Sequence, residues 1–259
     1  MYFIGQHHIM NVLAFMLPEL AKHPTEGVSF LLDGPSGYGK TTLALSMCEY
    51  LTEFEGKSFE YYLYDTKPFL LKKRVIFIDE IHRMKDFEFL FPFMDRKDKI
   101  FVLATNHSGN LPEALRNRCT EFVFTEYDDE ELMLMAVEAS KFKASDESFL
   151  KLIKASNRNP RILKSLVDNF GRYFSQNPSI SSSNANFDEI LANVFQIFDG
   201  MDTLSRRYVE ILENLGGKAS LSLISNILHV DGETLRTNVE PNLLKSGRIQ
   251  ISSKGRKLI

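Results

Sequence analysis

No run of apolar residues in the 259-residue chain approaches the length of a membrane-crossing helix, which needs roughly 18 or more in succession. The opening stretch, MYFIGQHHIMNVL, lacks the basic segment and small-residue cleavage site of a secretory signal. Only two cysteines occur, Cys48 and Cys119, far apart and at no metal-ligand spacing, so reduced, buried thiols in a cytoplasmic protein are expected. There is no internal repeat. Acidic residues are missing from Lys245 to Ile259, the stretch that holds Lys245, Arg248, Lys254, Arg256 and Lys257, although the whole chain carries a formal charge of -3. A basic end on an otherwise acidic chain points to a polyanion partner. The competing reading is a solvated basic terminus.

With 44% hydrophobic and 25% charged residues, the chain has the composition of an ordinary folded protein and the length of one large plus one or two small domains. Short apolar runs recur at VSFLLD (28 to 33), FEYYLY (59 to 64), RVIFID (74 to 79), KIFVLAT (99 to 105) and EFVF (121 to 124). Each is bounded by helical or turn-like sequence, which predicts a mostly parallel sheet covered by helices. From about Tyr127 the pattern becomes helical alone. Asp128 and Asp146 are placed as N-caps, Pro160 falls in a first helical turn, and the polar stretch SQNPSISSSNANF precedes a helix at DEILANVFQIF. The last sixty residues read as three helices followed by a hairpin turning at Lys254-Gly255, the pattern of a winged helix.

Between the first strand and the first sheet-covering helix lies GPSGYGKTT, residues 34 to 42. The spacing Gly34-x-x-x-x-Gly39-Lys40-Thr41 fits a P-loop, in which glycines let backbone N–H groups turn toward phosphate, a lysine neutralises the β and γ phosphates, and a threonine holds Mg²⁺. VIFIDEIH (75 to 82) ends a buried strand in two carboxylates: Asp79 can reach a metal through water, and Glu80 can polarise an attacking water as general base. LATN ends the next strand at Asn106, a neutral amide able to orient that water. NLPEALRNRCTEF places Arg116 and Arg118 before the final strand, and NRNPRIL places Arg161 at a helix start. The planar, permanently charged guanidinium suits a transferring phosphoryl group. Taken singly, each of these arginines reads equally well as a surface residue.

In this order the motifs resemble those of the AAA+ ATPases and, within them, the RuvB family of Holliday-junction branch-migration motors. The likeness runs over nearly the whole chain: FIGQ at the start, GPSGYGKTTLA, FIDEIHRM, LATN, LPEALRNRC, NPRI, and a terminal winged helix with VEPNLLKSG and KGR. The resemblance implies an α/β fold: a P-loop AAA+ domain with a parallel sheet over residues 1–126, a helical lid domain over 127–199, and a DNA-binding winged helix over 200–259. It also implies an ATP- and Mg²⁺-dependent hydrolase assembled as a homo-oligomeric ring, a hexamer, acting on duplex or branched DNA. Ile4 and Gly5 would line the adenine pocket; Gly34, Gly37, Gly39, Lys40, Thr41 and Thr42 would bind phosphate, with Thr41 and Asp79 at the metal. Glu80, Asn106 and Arg161 would be the Walker B base, sensor 1 and sensor 2. Arg118 would be the finger inserted into a neighbour's site, with Arg116 as its runner-up. Arg248, Lys254, Arg256 and Lys257 would contact DNA.

Three departures bear on function. After FIDEIHRM the chain runs through MDRKDKIFVLAT directly into the sensor strand, without the long hairpin with which the family engages its partner RuvA. A different protein partner is therefore expected. The family's wing tends to carry arginines where this chain has Ile251 and near Gly232. The segment between the P-loop helix and Asp79 is also short, which trims the surface that would face a central channel. A clamp-loader-like or helicase-loader-like ATPase that places a partner on DNA is the alternative to a motor. A nucleotide-gated regulator whose winged helix contacts protein is a third reading.

Overall fold

A computed structural model describes residues 2–53, 58–64, 69–253 and 255–259. It divides into two units: Met1–Met135 with Asn159–Arg161, and Ala136–Arg158 with Ile162–Ile259.

The first unit is built on five parallel strands, β1 (Ser29–Asp33), β2 (Glu60–Leu63), β3 (Val75–Asp79), β4 (Ile100–Thr105) and β5 (Thr120–Val123), in the order β2-β3-β4-β1-β5. The expected mostly parallel sheet is therefore present, and every predicted apolar run supplies one strand. β3 and β4 are buried at every position, as is β1 from Ser29 to Leu32. That is why they read as continuous apolar runs: a parallel strand covered on both faces has no polar side to alternate with. Leu31 faces Leu103 across the β1–β4 ladder, and Phe77 faces Val102 across β3–β4.

Helices cover this sheet. Helix α1 (His7–Lys22) buries Ile9, Leu13, Leu17 and Leu20, and α2 (Lys40–Glu53) buries Leu43, Ala44, Met47, Cys48 and Leu51, both at helical spacing. Arg74 closes the end of α1 by donating from Nη2 to the carbonyls of Leu20, His23 and Glu26 at 2.9, 3.0 and 2.7 Å. Between β3 and β4 stand only short helical turns and α3 (Phe91–Asp95), with no strand. Helix α4 (Glu113–Arg116) precedes β5. Because all five strands run the same way, their C-terminal ends share one edge, where an open parallel sheet binds ligands. The P-loop, Asp79 and Asn106 all follow strand ends at that edge.

Helix α5 (Asp129–Ala139) starts on a reciprocal capping box: Asp128 Oδ1 accepts from the Glu131 N–H at 2.8 Å, and Glu131 Oε2 accepts from the Asp128 N–H at 3.0 Å. In the second unit α6 (Asp146–Ala155), α7 (Pro160–Gln176) and α8 (Phe187–Asn193) surround an aromatic core of Phe142, Phe149, Phe170, Phe174 and Phe187. The first two residues of α7 group with the first unit. One cap differs from expectation. Ser145, not Asp146, is the N-cap of α6, accepting from the Ser148 N–H, while Asp146 falls in the first turn where its charge complements the positive end of the helix dipole. Helix α8 also stops at Asn193, short of the expected Phe198, which instead bridges to Met201.

The last part is a winged helix: α9 (Thr203–Asn214), β6 (Lys218–Ala219), α10 (Leu221–Leu228), α11 (Gly232–Thr234), a π-turn at Leu235–Val239, α12 (Glu240–Lys245), β7 (Ile249–Ser252) and β8 (Gly255–Leu258). Asp202, Ser220 and Asp231 cap their helices through side-chain oxygens. Tyr208, Leu212, Ile224, Leu235, Val239, Leu243 and Ile249 form its core. The expected third helix is present but carries the π-turn, because Pro241 has no N–H to return to the turn before it. The expected hairpin gains a third strand, since β6 pairs with β8 in the order β6-β8-β7. Among the described residues no helix is long and apolar enough to cross a membrane. Cys48 is buried and Cys119 half-buried, both free; burial pushes the Cys48 thiol up and the Cys119 thiol up to about 12.

Candidate nucleotide site and basic wing

The P-loop leaves β1 through Gly34 and enters α2 at Lys40. Gly39 has φ 91°, and a Cβ there would stand 2.8 Å from Phe3 Cζ, so the loop closes against the N-terminal segment only with glycine at this point. Gly37 shares the left-handed backbone, and Thr42 is exposed in the first turn of α2. Lys40 is nearly buried. Its Nζ donates to the carbonyls of Gly34 at 2.6 Å and Pro35 at 2.8 Å, so the cation is held inside its own loop. Burial lowers its pKa, against the opposing pull of the Glu80, Asp33 and Asp79 carboxylates.

Thr41 Oγ1 donates to Asp79 Oδ2 at 3.0 Å, while Asp79 Oδ1 accepts the Glu80 N–H at 2.9 Å. Among the described residues no group of three or more His, Cys, Asp or Glu side chains could hold a metal. One hydroxyl and one carboxylate are the hard oxygen donors that fit Mg²⁺, a cation that takes its remaining ligands from water and substrate phosphates. Glu80 itself sits at φ 53°, a left-handed conformation uncommon for a non-glycine residue and a recurrent mark of functional sites. Asn106 follows β4, and its Oδ1 is buried without a hydrogen-bond partner among the described residues. A buried acceptor left unpaired costs about 1–3 kcal/mol, and it fits a role toward a ligand.

The N-terminal segment is pinned by a residue whose role the sequence did not disclose. Gln6 is buried; its Nε2 donates to the Thr125 carbonyl at 2.8 Å, and its Oε1 accepts the Thr125 N–H at 2.9 Å. Tyr127 Oη donates to the Tyr38 carbonyl at 2.8 Å, joining the P-loop to the chain after β5. These bonds set half-buried Ile4 and buried Gly5 beside the loop. Arg161 reaches the loop from the other side: Nη1 lies 3.3 Å from Ser36 Oγ, and neighbouring Asn159 donates to the Ser36 carbonyl at 3.0 Å. Gly5, Lys40, Thr41, Asp79, Glu80, Asn106 and Arg161 thus all belong to the first unit. Arg118 and Arg116 belong to the same unit but bond elsewhere, Arg118 to Asp95 and Arg116 to Glu121 at 3.1 Å.

The described basic residues of the wing have different surroundings. Arg256 is largely buried, donating from Nε to Glu240 Oε1 at 2.8 Å and from Nη2 to Oε2 at 3.2 Å. Arg248 is half-buried and paired with Asp199, whose other oxygen takes Lys154 at 2.7 Å. Lys254 lies outside the described residues. Lys257 is exposed, and directly across from it on β6 stands exposed Lys218, which no sequence motif singled out.

Residues 30–127 match the model of the ATPase family associated with various cellular activities, AAA, and residues 199–259 match the RuvB C-terminal winged helix domain. The RuvB subunit of the Holliday junction branch migration complex of Campylobacter lari is 29% identical over 98% of this chain and 85% of its own length. That of Mycoplasma genitalium is 25% identical, over 98% and 92%. The solved structure described as the Thermotoga maritima RuvB Holliday junction branch migration motor superposes with a TM-score of 0.76 at 26% identity, over 99% of this chain and 93% of its own. With its P-loop, Walker B strand and parallel sheet, the chain is an AAA+ ATPase, a nucleotide-binding hydrolase. More narrowly, it is a RuvB-like AAA+ ATPase, shortened, in which the chain between β3 and β4 forms helical turns.

Proposed function

We propose that the protein is an ATP-driven motor on DNA, acting on duplex or branched substrates as a homo-oligomeric ring, a hexamer. Its parts are an ATPase domain (1–126), a lid (127–199) and a DNA-binding wing (200–259). The observation that carries this reading is the gathering of Lys40, the Thr41–Asp79 pair, Glu80 and the unpartnered Asn106 oxygen at one sheet edge. Lys40 and the loop around Gly34, Gly37 and Gly39 hold the ATP phosphates, while Thr41 and Asp79 hold Mg²⁺, which neutralises phosphate charge. Ile4 and Gly5 face the adenine, Glu80 takes the proton from water, Asn106 orients that water, and Arg161 senses the γ-phosphate. The finger comes from a neighbour: Arg118, which follows α4, is held by Asp95 and the Ala114 carbonyl and by none of these groups.

The test mixes two inactive variants. Arg118→Ala keeps an intact site without a finger, and Glu80→Gln keeps the finger without a base. A mixture that hydrolyses ATP while neither parent does supports shared sites; additive inactivity at every ratio defeats them. DNA should accelerate hydrolysis, and migration of a four-way junction should follow. The helical turns that occupy the chain between β3 and β4 favour a second reading, a loader that places a partner on DNA. Tight, ATP-dependent junction binding without strand movement would select it.

A further inference from the structure

We infer that His82 is a positioning residue for Glu80: its imidazole, oriented by Thr105 beside Asn106, holds the Glu80 carboxylate where it can take a proton from the attacking water. The inference rests on the reading of Glu80 as that base.

Glu80 needs such a support. It sits on a left-handed backbone turn, and its side chain is 34% exposed, so neither packing nor regular structure fixes the carboxylate. Two donors lie near it. Arg83 Nε is 3.7 Å from Oε2, but that side chain is 55% exposed, and an exposed pair holds little. His82 Nε2 is 3.5 Å from the same oxygen, and its side chain is only 8% exposed. A distance of this length is usual for catalytic groups before substrate tightens them.

The opposite nitrogen has a partner that suits the tautomer this role needs. His82 Nδ1 lies 3.0 Å from Thr105 Oγ1, and Thr105 is completely buried. Thr105 Oγ1 already accepts the His107 N–H at 3.0 Å. With that acceptor role filled, the hydroxyl hydrogen can go to Nδ1; in this arrangement the ring's own hydrogen is on Nε2, facing Glu80. Packing against the His107 ring at 5.0 Å, edge to face, fixes the plane. Burial keeps the His82 pKa below its ordinary value. A neutral ring can orient a carboxylate by hydrogen bonding while lowering its basicity less than an imidazolium would. Thr105 immediately precedes Asn106, so the strand end that orients water and the base that deprotonates it are joined through one ring.

Four variants of the full chain test this. His82→Asn keeps a partner for Thr105 but is too short to reach Glu80, whereas His82→Gln carries an amide N–H near the position of Nε2. Thr105→Val removes the hydroxyl. Glu80→Gln removes the base. For His82→Asn and Thr105→Val, kcat should fall about tenfold or more, part of what a general base supplies, with KM for ATP and binding of a fluorescent ADP unchanged. His82→Gln should restore most of kcat. In the Glu80→Gln background, adding His82→Asn should lower the residual rate no further. Parental kcat in His82→Asn, an equal loss in both backgrounds, or a rise in KM at constant kcat overturns the inference. Parental hydrolysis by Glu80→Gln would instead overturn the assignment of the base. Should His82→Asn fold poorly, a parental kcat in Thr105→Val still decides against the relay.

Discussion

Arg118 clasps Asp95 with both arms of its guanidinium, Nε to Oδ1 at 2.8 Å and Nη2 to Oδ2 at 3.1 Å, while Nη1 donates to the Ala114 carbonyl at 2.7 Å. The Phe91 ring lies 4.5 Å beneath it. A long, flexible side chain is thereby held in one pose, which on the proposed reading of Arg118 as a finger would remove part of the ordering cost of inserting it. Arg118→Ala should lower kcat on the order of 10³-fold or more, with nucleotide binding retained and little change in Tm, since Asp95 is exposed and Arg118 only half-buried. Asp95→Asn should cost much less, because Ala114 and Phe91 remain. Steady-state hydrolysis, fluorescent ADP binding and thermal melts check all three statements.

Asn106 offers a case in which activity and stability should part. Its buried Oδ1 has no partner among the described residues, so removing the amide deletes an unsatisfied acceptor along with the group proposed to orient water. Asn106→Ala should lose hydrolysis on the order of 10²-fold while Tm holds or rises. A clear fall in Tm would mean that the amide is a structural bond.

Gly5 should tolerate no side chain. Its φ is 72°, and an added Cβ would meet Tyr127 Cε1 at 2.7 Å and Glu131 Oε1 at 2.8 Å. Gly5→Ala should destabilise by at least about 1 kcal/mol and raise the Kd for ATP, because the displaced segment is the one Gln6 ties beside the P-loop. Denaturant melts and nucleotide titration read the two effects separately.

Much of this was legible in the sequence for a physical reason. Strands β1, β3 and β4 are buried on both faces, so each had to be an apolar run, and the strand-loop-helix context of Lys40 and Thr41 follows from their spacing. The α6 cap was misplaced by one residue because Ser145 and Asp146 are both good caps, and only the bond to Ser148 distinguishes them. β6 holds two residues and has no periodicity to read. Arg256 belonged to a basic run by composition, yet its charge is directed inward by Glu240, sixteen positions earlier. No local pattern reports such a partner. The same limit hid Gln6, whose bonds to Thr125 span most of the first unit.

The Glu240–Arg256 pair makes a stability prediction in place of a binding one. Glu240 also accepts from Tyr208 Oη at 2.7 Å, and the two side chains of the ion pair are 3% and 13% exposed. Removing Arg256 alone leaves a buried carboxylate uncompensated, so Arg256→Ala should cost about 3–5 kcal/mol, whereas replacing both partners by apolar residues of similar volume should cost far less. Burial on its own would raise the Glu240 pKa, but hydrogen bonds from Arg256 and Tyr208 outweigh it and hold the group below its ordinary value. A depressed carboxylate stabilises the fold above its unfolded pKa, about 4.3, and that contribution is lost as pH falls through the lower folded value. Melts of the parent between neutral pH and pH 3 should show this acid-side loss, and the doubly apolar variant should show less of it.

Lys218 and Lys257 stand directly opposite each other on β6 and β8, both exposed. Like charges in that register work against the sheet, so their pairing is a cost to the fold that a polyanion would offset. If each meets one phosphate, replacing both by alanine should reduce the slope of log K against log salt by about 2. The wing should become slightly more stable at the same time. Replacing Arg256, whose charge is spent on Glu240, should change the slope little in whatever fraction of the protein remains folded. DNA binding titrated from low to physiological salt, with melts of the same variants, measures both quantities. An unchanged slope in the double lysine variant would move the DNA contact away from these two lysines.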